Sequence, residues 1–186
     1  MLTDIVVATS GPVFVVSGRS GNIQPRTSEG FYAYDTRFLS RFHLSVEGRT
    51  PVLIGSGTAN HALSSFYLSS SGSRILLSGT LSIVRDRYIS HGLHEDVSLV
   101  NHSGIARTVR LELNFDADFA DVFEVRGLGP LRKAGRVTVE TAEGQQLRLV
   151  YRRGNFHRET WINFSQTPEV KGKTATFDVN LPPKGM

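Results

Sequence analysis

The sequence predicts an all-β fold, an antiparallel β-sandwich or barrel with little helix. Three observations predict it. Apolar and polar residues alternate with period two along most of the chain. Turn-forming pairs recur at short intervals. No segment carries apolar residues at the spacing of a long amphipathic helix, and no internal repeat is found.

The strands are read in order. Phe42, Leu44 and Val46 alternate with His43, Ser45 and Glu47. Val109, Leu111, Leu113, Phe115 and Ala117 alternate with Arg110, Glu112, Asn114, Asp116 and Asp118. Val137 and Val139 alternate with Thr138 and Glu140, and Leu147, Leu149 and Tyr151 with Arg148 and Val150. Ile162 and Phe164 alternate with Trp161 and Asn163, and Ala175, Phe177 and Val179 with Thr176 and Asp178. Each predicts a strand buried on one face, because successive side chains of a strand point to opposite sides. Ser17-Gly18, Ser20-Gly21-Asn22, Glu47-Gly48-Arg49, His102-Ser103-Gly104, Glu143-Gly144 and Lys171-Gly172 punctuate them as turns. Two stretches break the pattern. Gly55 to Ser73, rich in Ser and Gly, reads as a loop flanking one strand. Ala120 to Gly129 reads as an irregular excursion after a long strand.

Bulk properties narrow the function. Residues 1–186 make one domain, and a 39% hydrophobic content with 11 Phe suffices for a core. The net charge of +4 comes from 21 basic and 17 acidic residues that are dispersed. The densest basic stretch, Arg148 to Arg158, is too short for the stripe that nucleic acid requires. No Cys is present, which excludes disulfides and thiolate metal sites. Asp4 precedes the short apolar run at Ile5 and no basic residues lead it, a poor secretory signal, so a cytoplasmic location is expected. No apolar run approaches the roughly 18 residues of a membrane helix.

Several motifs could carry chemistry. Asp35 and Arg37, two apart on a strand, would share a face and pair directly. They read either as a surface ion pair or as a polar cluster presented to a sugar or a partner domain. Asp116 and Asp118, also two apart, would sit about 7 Å from each other, within the separation used by inverting glycosidases. Nothing in the sequence supplies the pocket that would raise one pKa, so direct catalysis is not expected. Asp116, Asp118 and Asp121 lack the further ligand and the glycine of a calcium loop. Of the six His, only His91 and His94 have a metal-like spacing, and on a strand they would face opposite ways. No metal and no cofactor is expected. Phe31, Tyr32, Tyr34, Phe119, Phe123, Tyr151, Phe156 and Trp161 include rings able to stack on sugars, but most Phe are expected in the core. Tyr34 and Trp161, set among polar or small neighbours, are the better candidates for exposure.

Two phrases go further. One runs Tyr34-Asp35-Thr36-Arg37-Phe38-Leu39-Ser40-Arg41 and the other Phe115-Asp-Ala-Asp118-Phe-Ala-Asp121-Val-Phe-Glu124-Val-Arg126-Gly127. With Val15 to Ile23, which looks like an opening hairpin, and Leu181-Pro-Pro-Lys-Gly185, they resemble the N-terminal β-domain of bacterial glycogen-debranching enzymes of the amylo-α-1,6-glucosidase type. The resemblance covers essentially the whole chain. It implies a β-supersandwich joined, in the parent protein, to an (α/α)6 barrel that carries the catalytic carboxylates. The chain itself would then be a non-catalytic accessory domain of a glycoside hydrolase, packing on the barrel and helping to shape an α-glucan cleft. The family runs on past Gly185 into another strand, so a fragment of a longer protein is expected. Tyr34, Asp35, Arg37, Asp118, Asp121, Glu124, Arg126 and Trp161 become contact candidates toward the barrel or the glucan. The alternative is a free-standing carbohydrate-binding or structural interaction module. No nucleic-acid or membrane partner is expected.

Overall fold

The computed structural model describes residues 5–70, 80–128, 136–142 and 144–186. Fifteen strands and one short helix alternate along it: β1 (Ile5–Ser10), β2 (Val13–Gly18), β3 (Gly30–Ala33), β4 (Thr36–Leu39), β5 (Arg41–Val46), β6 (Val52–Asn60), β7 (Leu63–Ser69), β8 (Leu81–Ile89), β9 (Leu93–Asn101), β10 (Arg107–Asp116), α1 (Val122–Val125), β11 (Arg136–Ala142), β12 (Gln146–Arg153), β13 (Phe156–Asn163), β14 (Glu169–Lys171) and β15 (Thr174–Leu181). The all-β, antiparallel expectation with little helix holds. The layers consist of four small sheets, ordered β1-β2-β3-β4, β14-β15-β10-β5, β6-β7-β8-β9 and β11-β12-β13.

The sheets close into a ring. The first packs on the third where β1 and β2 meet β7 and β8, and the third meets the second where β9 passes β15. The second meets the fourth through Phe164, whose ring lies 6.1 Å from Phe115 and 5.6 Å from Phe177. The fourth returns to the first where Thr160 on β13 donates its hydroxyl to the Phe38 carbonyl on β4 at 2.7 Å. None of the sheets could bury enough apolar surface alone. One shared core, with Ile23, Leu44, Phe42, Ile83, Leu113, Phe115, Leu147 and Leu149 within it, does so for all of them.

Period two placed the strands because each hides one face. β5 buries Phe42, Leu44 and Val46 and leaves Arg41, His43 and Ser45 partly outside. β12 buries more than the alternation implied: Val150 is as fully hidden as Leu149. On that outer face Val150 lies between Thr138 and Glu159, with Arg148 and Arg152 along its own strand.

Two expectations need correction. The stretch read as a loop flanking one strand holds two strands, β6 and β7, while 71–73 lie outside the described residues. Gly55, Ser56 and Gly57 suggested a loop, but β6 is an exposed edge with register shifts beside Gly55 and Asn60, where small residues are tolerated. The segment from Val15 to Ile23 is only the second half of the opening hairpin, which turns at Gly11 and Pro12. Its remainder is a loop held by arginines of the third sheet.

Those arginines gave no signal as core residues, because alternation marks only apolar positions. Arg85 and Arg87 on β8 are both 0% exposed. Glu95 on β9 accepts from Arg85 Nε at 2.7 Å and from Arg87 Nε at 2.6 Å. Arg85 Nη1 reaches the Ser20 carbonyl at 3.0 Å and Asn22 Oδ1 at 2.7 Å, and Arg87 Nη2 the Gly21 carbonyl at 2.6 Å. The Phe42 ring lies under both guanidiniums, and Phe66 under that of Arg87. Gly21 has φ of 78°, and a Cβ there would stand 2.9 Å from the Phe66 ring. Burial pushes the Arg85 guanidinium below its usual pKa.

Glu95→Gln removes the one negative charge shared by two buried cations and is expected to destabilise the fold by about 3–5 kcal/mol, read from urea unfolding. A second expectation concerns pH. Burial, with Arg41 and Arg85 nearby, holds His43 below the ordinary imidazole value of 6.5. The unfolded chain therefore takes up the proton first as pH falls. Stability is highest above that value, declines as pH drops through it and levels off below the depressed folded value. In His43→Asn, unfolding curves across this range lose that part of the slope.

Candidate functional site

The two signature phrases meet in space. β3 and β4 form a hairpin whose two turn residues are Tyr34 and Asp35, with φ of 47° and 63°. Positive φ at both positions matches the twist of a two-residue hairpin, where Asn and Gly are the usual occupants. Asp35 therefore lies at the tip, not on a strand face beside Arg37. The expected Asp35–Arg37 pair does not form, because the turn inserts a break between them.

Arg37 turns inward instead. It is 5% exposed, and its guanidinium grips Asp118 from the second phrase, Nε to Oδ1 at 3.0 Å and Nη2 to Oδ2 at 2.5 Å. Nη1 donates to the carbonyls of Thr27 at 2.7 Å and Glu29 at 3.1 Å. Burial opposes the Arg37 charge, and the Asp118 carboxylate more than offsets this, so its pKa stands above the usual guanidinium value. The adjacent Tyr32 hydroxyl, donating to the Ser28 carbonyl at 2.9 Å, is raised by burial, as is the Glu29 carboxyl. Gly30 is required here, since a Cβ would come within 2.5 Å of the Arg37 side chain.

Backbone bonds zip the same two segments together. Ser40 N–H donates to the Asp116 carbonyl at 2.8 Å, Arg37 N–H to Ala120 at 2.8 Å and Val122 N–H to Asp35 at 2.9 Å. Phe119, with φ of 50°, inserts its ring between Phe38 and Tyr151 at 5.7 and 5.9 Å. Three of the six non-glycine residues with positive φ among the described residues (Tyr34, Asp35 and Phe119) thus fall at this junction. Strain of this kind persists where the surroundings over-determine it.

The excursion after β10 contains α1. Asp121 is its N-cap, accepting from the Phe123 and Glu124 amides at 2.7 and 2.9 Å, and Glu124 reaches back to the Asp121 amide at 3.1 Å. This reciprocal box commits both carboxylates to the backbone. Asp116, the other half of the carboxylate pair considered from sequence, accepts from Lys173 Nζ at 2.5 Å. Asp116 and Asp118 are each paired to a separate cation, Lys173 and Arg37.

The contact candidates therefore separate by role. Arg37 and Asp118 are internal staples, and Asp121 and Glu124 form a helix cap. Tyr34, 78% exposed, Asp35 and Arg126 stand at the surface. Phe123, named from the sequence among the rings able to stack on sugars, and Leu128, which the sequence did not mark, are 62% and 71% exposed and accompany them on and just after α1. Trp161 lies elsewhere, on the outer face of the fourth sheet, opposite the face from which Thr160 reaches β4. It is 51% exposed, with Arg148 5.1 Å above its ring and its indole N–H on Glu159 at 2.8 Å. Among the described residues no cluster of His, Asp and Glu could hold a metal ion.

Comparison with known protein families matches residues 9–186 to the N-terminal domain of (some) glycogen debranching enzymes. Comparison with curated proteins finds no match.

Arg37→Ala would strand the Asp118 carboxylate and two carbonyls, and a loss of about 3 kcal/mol is expected in urea unfolding. Arg126→Ala, at an exposed position, is expected to change stability by less than about 0.5 kcal/mol in the same assay.

Proposed function

The chain belongs to the family of N-terminal domains of some glycogen debranching enzymes, and we propose that it is the non-catalytic accessory domain of such an enzyme. In this reading it packs on the parent's catalytic (α/α)6 barrel and helps to shape an α-glucan cleft. The face presented is the tip formed by Tyr34, Asp35, Phe123, Arg126 and Leu128. One observation carries the choice of face: an exposed tyrosine and aspartate are held at positive φ in a hairpin whose base is locked by Arg37 and Asp118. A turn selected only for stability would use Asn-Gly. Keeping Tyr and Asp there costs of the order of 1 kcal/mol and suits a surface selected for contact. The tip offers a free aromatic face and a carboxylate, the groups that stack on sugar rings and accept their hydroxyls, together with apolar neighbours suited to a protein surface.

A cytoplasmic location belongs to the same reading. Among the described residues no helix is long and apolar enough to cross a membrane. The alternative, a free-standing carbohydrate-binding module, would rest on Trp161, but one face of that ring is already taken by Arg148.

The double variant Tyr34→Asn, Asp35→Gly tests the reading. The turn is expected to become more stable by about 1 kcal/mol. In the full-length parent, kcat/KM on branched α-glucan is expected to fall about tenfold or more, the equivalent of about 1.4 kcal/mol of lost contact. Unchanged activity and unchanged domain docking would remove the tip from the interface.

A further inference from the structure

We propose that the free edge of β9 is a strand-addition site, filled by an extended segment of the parent polypeptide from outside this domain. The proposal rests on the accessory-domain reading, since it needs a longer parent chain. β9 is the last strand of the third sheet and pairs on one side only, with β8. The His102 amide donates toward β8, to the Thr80 carbonyl, and the Asn101 amide points the other way, to the Gly185 carbonyl at 2.8 Å. Alternate amides of a strand share a side. Those of Leu99, Val97 and Glu95 therefore also face away from β8, and among the described residues no hydrogen bond reaches them. Unpaired edge groups of this kind are a template for another strand.

Beside this edge runs a groove of about 390 Å³, whose apolar floor includes Val97, Leu99, Leu111, Leu113, Phe177 and Val179. It lies over the core face of the second sheet, where Phe177 and Val179 are only partly buried, between β9 and the residues following β13. Gly185 occupies the first rung along the edge, and Met186 lines the groove. The ladder thus begins at Asn101 and has room to continue past Leu99 and Val97.

The register states the occupant's chemistry. Inward positions of the added strand meet the apolar floor. Outward positions lie beside Asp96, which stands directly across from Asp86 on β8. Asp86 accepts only the Ser65 hydroxyl, at 2.6 Å, and no cation among the described residues pairs with either carboxylate. Like charges directly opposed are unfavourable, and a Lys or Arg in the neighbouring strand relieves them. The occupant is accordingly an extended strand, apolar on alternate residues, with a basic residue level with Asp96.

Amide hydrogen exchange resolved to single residues, in this chain and in the full-length parent, tests this. The Ser98 and Val100 amides, bonded to β8, serve as slow references. In this chain Val97 and Leu99 are expected to exchange at least about tenfold faster than those references, and in the parent to slow to match them. Fast exchange in both proteins overturns the proposal. Slow exchange already in this chain overturns it too, since the edge would then be filled without the parent. Hydroxyl-radical footprinting of Tyr34 on the same samples separates the two readings. Protection of Tyr34 with β9 open retains docking and removes strand addition, whereas no protection at either place removes both.

Discussion

A buried guanidinium has five N–H donors and tolerates few of them unpaired, and in this domain that requirement joins segments that lie far apart in the chain. Arg37 is hidden on β4, so the chain must bring a carboxylate and two carbonyls to it. Asp118 arrives from the end of β10, and Thr27 and Glu29 from the loop before β3. Once these are in place, the backbone bonds from Ser40, Arg37 and Val122 follow with little further loss of freedom. Arg85 and Arg87 apply the same constraint from the third sheet, drawing in the carbonyls of Ser20 and Gly21. Such networks contribute specificity as much as net stability, because an alternative packing would leave charges unpaired out of water.

This anchoring lets small sheets act as one body. Each sheet has three or four strands, and several of its loops would be loose without a partner. The guanidiniums fix the loops, and the apolar faces then need only meet around the shared core. The cost appears at the rims. β6 and β9 remain as edges of the third sheet, and the groove beside β9 reaches residues of the core face. Unpaired edges and openings of this kind are the places where a further strand or surface can add.

The same lock explains why strain can be held at the hairpin tip. Tyr34 and Asp35 occupy backbone conformations that cost free energy, and the base of the hairpin cannot relax because Arg37 is gripped behind it. Display and support are thereby divided between neighbouring residues of a single phrase. Arg37, Asp118, Asp121 and Glu124 supply the support, and Tyr34, Asp35, Phe123 and Arg126 lie at the surface.

The all-β class was legible in the sequence, and so were those strands whose one face in the core writes its period into the chain. Phe42, Leu44 and Val46 show this, as do Leu111, Leu113 and Phe115. β6 was not legible, since an exposed edge has no hidden face to mark it. The roles of the charged residues were also out of reach. From the sequence Arg37 has Asp35 as its obvious partner, two residues away. The fold gives it Asp118, because a two-residue turn carries Asp35 to the tip and the end of β10 arrives in its place. Local periodicity and turn chemistry are properties of the chain itself, so the sequence by itself determined the all-β class and the position of β5, β10, β11, β12, β13 and β15. Which carboxylate neutralises which buried cation, and which aromatic rings remain outside, depend on how distant segments pack, and only the tertiary structure decided them.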